Sequence, residues 1–479
     1  MGVNIQKKKL SDFRSEEGLR YDYKYISSFE TSSKEFYSYR QLFDFVSYQG
    51  VDISKLEKFR YAEIGNVSKM GEVEPVELSF DDRQEENESL FKKIEKGDII
   101  KPLSGDVLIS KIRPYLNKNI LIENEDTYFT KAFIQIRPKI NSELLHIAIR
   151  TRFINLLNAV SRQGKGYPTL KEDDIKSIRF PRNYIDALLN CENELIKKIS
   201  PLKAEILSLK QSKEKTSSIL NGIFANYFNI ELSLIVNLDD TKILPIKFSD
   251  ITVFNPAFRA SLRWNKMQNI QSILYSNISC IKTLGRFVKS TKNGWSPLSV
   301  EGGEGIPVLG QENFSFDGVL KVEPSKATEE TRNNIEDFFI KKGDFFVSRG
   351  NTVDLVALAS VVNVEIEDDI LFPDLYIRLE LDEASINKEY LSFIFNSFIG
   401  RLYFKYVAKG KNQTMVKVSS TELLSFRLPI PSIEDQENLV GLIKTQLDDQ
   451  KVIDGKVEEK QQAINKIIQN AVISEQTNA

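Results

Sequence analysis

Leu170-Lys-Glu-Asp-Asp-Ile-Lys-Ser-Ile-Arg-Phe-Pro181 returns, without a gap, as Val418-Ser-Ser-Thr-Glu-Leu-Leu-Ser-Phe-Arg-Leu-Pro429, and a long helical pattern follows each copy. The duplication extends outward from there. Gly105-Asp106-Val-Leu-Ile-Ser110 is answered by Gly343-Asp344-Phe-Phe-Val-Ser348, and Leu19-Arg-Tyr-Asp22 by Leu262-Arg-Trp-Asn265. These pairs lie 248, 238 and 243 residues apart, about half of the 479-residue chain. A repeat that long is not a solenoid unit, which runs to roughly 20–50 residues. Two copies of a whole domain, each followed by a helix, fit it instead. Such a plan suits gripping two similar targets a fixed distance apart.

Composition sets the class. A chain of 479 residues has room for roughly two to four domains, each with its own core. Its 41% hydrophobic and 28% charged content is that of a soluble globular protein. No stretch approaches the roughly 18 apolar residues of a membrane span. Lys7, Lys8 and Lys9 are followed by no apolar core of a signal peptide, so the expected compartment is the cytoplasm and no membrane is involved. Cys191 and Cys280 fall at unmatched places in the repeat, which argues against a disulfide framework and against structural zinc.

The net charge of −2 speaks mildly against a polyanion partner, but the distribution matters more than the sum. Between Leu144 and Lys171 there is no acid, while Arg150, Arg152, Arg162, Lys165 and Lys171 are basic. Between Tyr390 and Thr421 there is again none, and the bases are Arg401, Lys405, Lys409, Lys411 and Lys417. Both windows stand just before the repeated Arg-(Phe/Leu)-Pro signature. A pair of solvated basic faces is one explanation; because the clearance is duplicated, a polyanion-facing surface is favoured.

Short alternating runs predict strands at Val107–Ser110, Ile120–Ile122 and Phe133–Arg137, and in the second half at Phe345–Val347, Leu355–Val362 and Leu375–Leu379. Helical spacing covers Ser142–Ala159 and Asn387–Tyr406. Each repeat is therefore expected to be α+β, with a mixed or antiparallel sheet. After each comes a heptad pattern: Leu195, Ile199, Leu202, Ile206, Leu209, Thr216, Leu220 and Ile223, then Leu439, Ile443, Ile453, Val457, Ile464, Ile467 and Ala471. Lys213, Gln446, Gln450 and Lys460 interrupt these seams. Ser432-x-x-Asp435 offers an N-cap for the second helix, and Pro201 a restart or kink of the first. Each stripe needs a partner, and the nearest is the other. Residues 202–223 and 433–470 would span roughly 33 and 57 Å, and antiparallel pairing would place two domains at the scale of one DNA turn, about 34–36 Å. The plainer alternative is a coiled coil serving only dimerisation.

Catalytic constellations are thin. His146 is the one histidine and lies in an apolar helical stripe, where a packed or surface role outweighs general base catalysis. No paired-histidine zinc spacing or phosphate loop is present. Asn255-Pro256-Ala257-Phe258 approaches the Asn-Pro-Pro-aromatic signature of enzymes that methylate exocyclic amino groups of flipped bases, but Ala holds the third position. Pro373-Asp374 with Glu380 is an incomplete metal-nuclease pattern, with Asp382 where a lysine belongs. Catalysis by this chain is not expected.

Recognition loops are better represented. Lys111, Arg113, Tyr115, Asn117 and Lys118 follow a strand, and Arg349, Asn351 and Thr352 form the counterpart around Gly350. Arg162, Lys165 and Tyr167 pair with Lys409, Lys411, Asn412 and Gln413 in a second matched set of glycine-containing loops. Lys292 and Trp295, flanking Gly294, occur only in the second half. Lys and Arg position on phosphates, Arg, Asn and Gln read base edges, and glycine lets backbone approach a ligand. Any turn can look so singly. The loops differ while the frames agree, which suggests one scaffold reading two sequences.

Phe180-Pro181 and Arg427-Leu-Pro-Ile-Pro431-Ser-Ile-Glu434-Asp-Gln436, each leading into a heptad helix, resemble the signature of specificity subunits of type I restriction–modification enzymes. Gly105 to Lys118 is similar to a common segment of that family's target-recognition domains. The resemblance covers about Leu19 to Ile473. It implies two target-recognition domains separated by antiparallel helices, each reading half of a bipartite duplex site. It further implies that the helices dock two modification subunits, which bind S-adenosylmethionine and methylate adenine, and that a restriction subunit using ATP and magnesium can join. No cofactor would belong to this chain. The expected division is 1–182 as the first target-recognition domain and 225–430 as a linker and the second, with 183–224 and 431–474 as spacer helices. Arg182-Asn-Tyr-Ile-Asp186 departs from the family's pattern, which bears on how the first helix start packs. Two other readings stand beside this one: a self-contained adenine methyltransferase using Asn255, and a coiled-coil scaffold without DNA binding.

Overall fold

The structure is a computed structural model, and it describes residues 14–15, 18–19, 35–48, 56, 58–69, 71–79, 96–163, 167–233, 262–410 and 415–478. The chain forms two compact units, Met1–Ser208 with Val457–Ala479, and Leu209–Lys456. The division falls within both long helical regions, so a share of each belongs to either unit.

In the first unit the strands are β1 (Phe43–Phe45), β2 (Lys58–Ala62), β3 (Val76–Ser79), β4 (Ile99–Ile100), β5 (Val107–Ser110), β6 (Ile120–Leu121), β7 (Thr127–Thr130) and β8 (Phe133–Pro138). β1, β8, β5 and β6 make one antiparallel sheet in that order. A second sheet, ordered β3-β2-β7-β4, contains a parallel pair, β2 with β7. β5 is buried at all four positions, which its uninterrupted Val-Leu-Ile run allows. Helices α1 (Ser142–Ala148) and α2 (Ile154–Val160) follow, joined by a π-helical turn over Ile149–Phe153. Asn141 caps α1 by accepting from the N–H groups of Glu143 and Leu144.

The second unit rebuilds the same frame. Its strands are β9 (Val288–Asn293), β10 (Phe345–Ser348), β11 (Ala359–Val361) and β12 (Tyr376–Leu381), ordered β9-β12-β10-β11. That is the first unit's order, strand for strand. The register agrees as well: Phe133 faces Ser110 as Tyr376 faces Ser348, and Val107 faces Leu121 as Phe345 faces Val361. Helices α3 (Lys388–Asn396) and α4 (Phe398–Val407) follow, with Asn387 capping α3 as Asn141 caps α1. Further on, Phe180–Pro181 pairs with Phe36–Tyr37, and Arg427–Pro429 with Ile281–Thr283.

The Gly-Asp motif explains its own recurrence. Gly105 and Gly343 take φ of +87° and +84°, a conformation that favours glycine. Asp106 accepts from Leu103 N–H and pairs with Arg137 at 2.8 Å; Asp344 accepts from Lys341 N–H and pairs with Arg378 at 3.3 Å. Each aspartate thus ties the start of its strand to an arginine on the neighbouring strand.

What lies ahead of the Gly-Asp strand differs. The first unit inserts strands of its mixed four-stranded sheet there. The second inserts an antiparallel three-stranded sheet of Val300–Glu301, Lys326–Thr328 and Ile306–Val308. The scaffold is shared and the insertions are not.

Three sequence expectations need correction. The run Leu355–Val362 is strand only at Ala359–Val361; before it the chain turns, with Ala357 at φ +58°. The Arg401 guanidinium holds that turn, donating to the carbonyls of Val356, Ala357 and Phe395 at 2.6, 2.6 and 2.9 Å. The helical run Asn387–Tyr406 breaks at Ser397, whose extended backbone caps α4. The first heptad run is two helices, α5 (Glu192–Ser212) and α6 (Thr216–Phe228), and Pro201 lies inside α5 rather than restarting it.

The last helix, α7, spans Ile433–Asn478, with Ser432 capping it through Asp435 N–H. In the first unit Leu195, Ile199 and Ile206 of α5 share one core with Ile464 and Ile468 of α7, and Glu205 pairs with Lys460. In the second, Ile219, Leu220 and Ile223 of α6 pack in a core with Leu439, Ile443 and Leu447. There Lys213 pairs with Asp454 at 2.6 Å and Glu214 N–H donates to Gln450. In the second unit partner numbers fall as the chain advances, from Lys213 with Asp454 to Glu214 with Gln450, so there the chain runs antiparallel to α7. Of the polar interruptions of the two heptad patterns, Lys213, Gln450 and Lys460 find polar partners.

Candidate nucleic-acid interface

The loop after β5 and the hairpin after α2 are stitched together by main chain. Lys111 C=O accepts from Leu170 N–H, Arg113 N–H donates to Pro168 C=O, and Ile112 bridges Thr169. In the second unit Arg349 C=O accepts from Val418 N–H, Gly350 pairs with Lys417 and Asn351 with Val416. The same stitch is made twice. It brings Lys111 and Arg113 beside Arg162 and Tyr167, and Arg349 and Asn351 beside Lys409.

These residues do not all face outward. Lys111 Nζ donates to the Tyr48 hydroxyl at 2.8 Å and to Lys131 C=O at 2.7 Å, and burial holds its amine below the ordinary lysine value. Lys118 Nζ donates to Ile64 C=O at 3.0 Å, and burial lowers its amine too. Both lysines are thus tied to backbone carbonyls of their own unit and are partly buried. Tyr48, the ring on which Lys111 rests, carries no sequence signal of its role.

Arg113 is different. Its backbone is left-handed, at φ +49°, and its guanidinium lies 5.6 Å from the centre of the Tyr167 ring. Tyr167 and Tyr115 are exposed. Arg162 is half exposed, and its Nε donates to the buried Asp174 carboxylate at 2.7 Å.

In the second unit Lys409 pairs with the buried Glu422 at 2.6 Å. Arg349 donates to Asp374 C=O at 3.3 Å and lies 3.8 Å from its carboxylate. Asn351 donates to Gln311 Oε1, which also accepts from the Ser348 hydroxyl; Gln311 was not singled out by any motif. Lys292 pairs with Asp337 at 2.8 Å over the Phe338 ring, and Trp295 packs 6.3 Å from the same ring. Gly294 is glycine because the chain itself comes close: a Cβ there would meet Pro373 O at 2.1 Å. Lys165, Lys411, Asn412, Gln413 and Asn255 lie outside the described residues.

The acid-free windows are acid-free in sequence and not in space. Asp174 and Glu422, from the stretch just beyond each window, reach back to its cations. Arg150 and Arg401 are internal. Arg150 donates to the carbonyls of Asn117, Asn119 and Lys69, and burial lowers it to about 10; Arg401 is lowered to about 9 by the same cause.

His146 is packed, with Nε2 3.2 Å from Asn119 O, and desolvation pushes its imidazole down to about 3. Asp374 and Glu380 bind separate serines, Ser296 and Ser290. Among the described residues no group of three His, Cys, Asp or Glu side chains is placed to hold a metal ion. No helix among them is long and apolar enough to cross a membrane. The site's inventory is cations, amides and exposed rings at the end of a rigid frame, which is contact chemistry for phosphates and base edges.

No family model and no curated protein matches the chain. Several solved structures overlap it. One, from work on the structural basis of complex assembly and conformational transition of the type I R-M system, is 16% identical, covers 91% of this chain and 97% of its own, and has a TM-score of 0.33. The HsdS subunit from Thermoanaerobacter tengcongensis is 16% identical, with coverage of 87% and 90% and a TM-score of 0.29. The type I restriction-modification S subunit from M. genitalium is 10% identical, with coverage of 93% and 98% and a TM-score of 0.32. At such scores the fold assignment rests on the chain's own sheets and helices.

Proposed function

We propose that this chain is the non-catalytic DNA-reading subunit of a type I restriction–modification assembly. Each frame reads one half of a split duplex site, and the antiparallel helices scaffold two modification subunits in the cytoplasm. The observation that carries the reading is the duplicated sheet, identical in strand order and register, with unlike insertions ahead of its Gly-Asp strand. A shared frame with unlike insertions supports one binding mode with two specificities. S-adenosylmethionine, ATP and magnesium would act in partner subunits.

The test is a methylome of cells carrying this chain with its neighbouring modification subunit. A new bipartite adenine motif, lost when this chain is deleted, is the expected result; its absence would sink the proposal. Reversing Lys165, Lys409 and Lys411 to Glu should weaken DNA binding and flatten its salt dependence, since each phosphate contact releases counterions. A bare coiled-coil scaffold would show neither change. Methyl transfer by the isolated chain, abolished in Asn255→Ala, would instead favour the enzyme reading.

A further inference from the structure

Asp174 and Glu422 occupy the same place in the repeat, 248 residues apart. Both carboxylates are almost wholly buried, with side-chain exposures of 1% and 4%. Both sit at the third position of a short helix and accept the backbone N–H of the residue before it, Lys171 at 2.9 Å and Ser419 at 2.9 Å. Capping alone would account for an acid there. It does not account for the cation that each also holds: Arg162 through Nε at 2.7 Å, and Lys409 through Nζ at 2.6 Å. These cations are the first residues of the two matched hairpins, and their side chains remain 46% and 65% exposed.

We infer that Asp174 and Glu422 are positioning residues, two copies of one device that sets a hairpin cation at a fixed point on each recognition surface. The inference rests on the proposed function and adds what the two cations do differently. Arg162 spends Nε on Asp174, which fixes one side of the guanidinium and leaves the edge bearing the two Nη atoms on a side chain that is 46% exposed. Among the described residues that edge has no hydrogen-bond partner. A planar edge with two donors matches a guanine O6/N7 pair or two phosphate oxygens. Lys409, paired with Glu422, offers a point charge, which suits a single phosphate oxygen and no particular base. The first half-site should therefore owe more of its sequence discrimination to this position than the second. A fixed guanidinium also avoids losing the rotamer entropy of a free arginine on binding.

The experiment uses the full chain in complex with its modification subunit. The probes are duplexes carrying the bipartite methylation motif intact, with the first half scrambled, or with the second half scrambled. Asp174→Asn keeps a cap acceptor and removes the charge. It should cost about tenfold or more in affinity for the intact duplex and nothing further on the duplex with its first half scrambled. Arg162→Lys, an exposed change that spares the fold, should give the same pattern. Glu422→Gln should weaken all duplexes alike that share the second half's backbone. Wild-type discrimination retained in both Asp174→Asn and Arg162→Lys would overturn the device while leaving the proposed function intact. So would equal losses on every duplex in Asp174→Asn and Arg162→Lys, accompanied by a fall in Tm, which is what a cap alone would give. A wild-type complex that fails to prefer the intact duplex would overturn both.

Discussion

Gln436 Oε1 accepts the backbone N–H of Asn387 at 2.9 Å, and Gln436 is wholly buried. Asn387 is the residue that caps α3, so the start of α7 holds the start of the helix lying behind the second sheet. Gln436 Nε2 donates in turn to Pro431 C=O at 3.0 Å. The matching position in the first unit is Leu188, also buried, and there Asn141 instead donates to Glu192 at 2.9 Å. The departure of Arg182–Asp186 from the family signature thus has a local substitute.

Gln436→Leu should therefore destabilise the second unit by about 1 kcal/mol, because it leaves the half-buried Asn387 N–H and Pro431 C=O without their partner. Chemical denaturation followed by fluorescence measures it. A midpoint unchanged from wild type would show that water replaces the side chain.

His146 makes stability depend on acid. Its folded value of about 3 lies below the ordinary 6.5, so the unfolded chain takes up a proton that the native state refuses. Stability is then complete above pH ~6.5 and falls as pH drops toward ~3, by about 2 kcal/mol at pH ~5. Because the chain has one histidine, its imidazole C–H resonance is unambiguous. That resonance should not titrate between pH 7 and ~4 in the folded protein, and His146→Gln should flatten the dependence of Tm on pH over the same range.

Two glycines separate conformational strain from collision. At φ +84° a Cβ added in Gly343→Ala meets only Lys388 Nζ, at an ordinary contact distance of 3.8 Å, and the change should cost about 1 kcal/mol. Gly294→Ala drives a Cβ into the Pro373 and Phe372 carbonyls and should cost at least ~3 kcal/mol, comparable with overpacking of a core. Thermal unfolding of the two variants side by side decides it; equal costs would refute the close approach at Gly294.

Arg401→Met leaves the carbonyls of Val356, Ala357 and Phe395 without their donor. A loss of about 3 kcal/mol is expected, with new protease cleavage between Thr352 and Leu358. Retained resistance there would mean that the turn holds itself.

On DNA, Arg113→Gln and Lys118→Gln should part company. Arg113 stands over the exposed Tyr167, and its loss should lower the salt slope by about one unit. Lys118 is bound to Ile64 C=O, and its loss should reduce stability while leaving the slope alone.

Much of the fold was legible in the primary structure because the repeat is a packing constraint. The Gly-Asp pair recurs since a positive φ and a carboxylate paired with an arginine on the neighbouring strand occur together where β5 and β10 begin. The heptads recur since two amphipathic helices must cover each other. The candidate site was less legible. Lys111, Lys118, Arg150 and Arg401 look like surface charge in a one-dimensional pattern, yet burial against backbone carbonyls makes them part of the scaffold. Tyr48 and Gln311 were missed because their partners are 63 and 40 residues away.

The order of residues by itself determined that there are two like frames, where several of their strands fall, the Ser432 cap of the last helix, and that paired helices accompany them. These depend on local propensity and on periodicity, which act over a few residues. Only the tertiary structure decided which cations remain available to a partner. A charge is cancelled or freed by whatever acid or carbonyl the fold carries to it, and Asp174 and Glu422 lie just outside the windows that seemed to hold none.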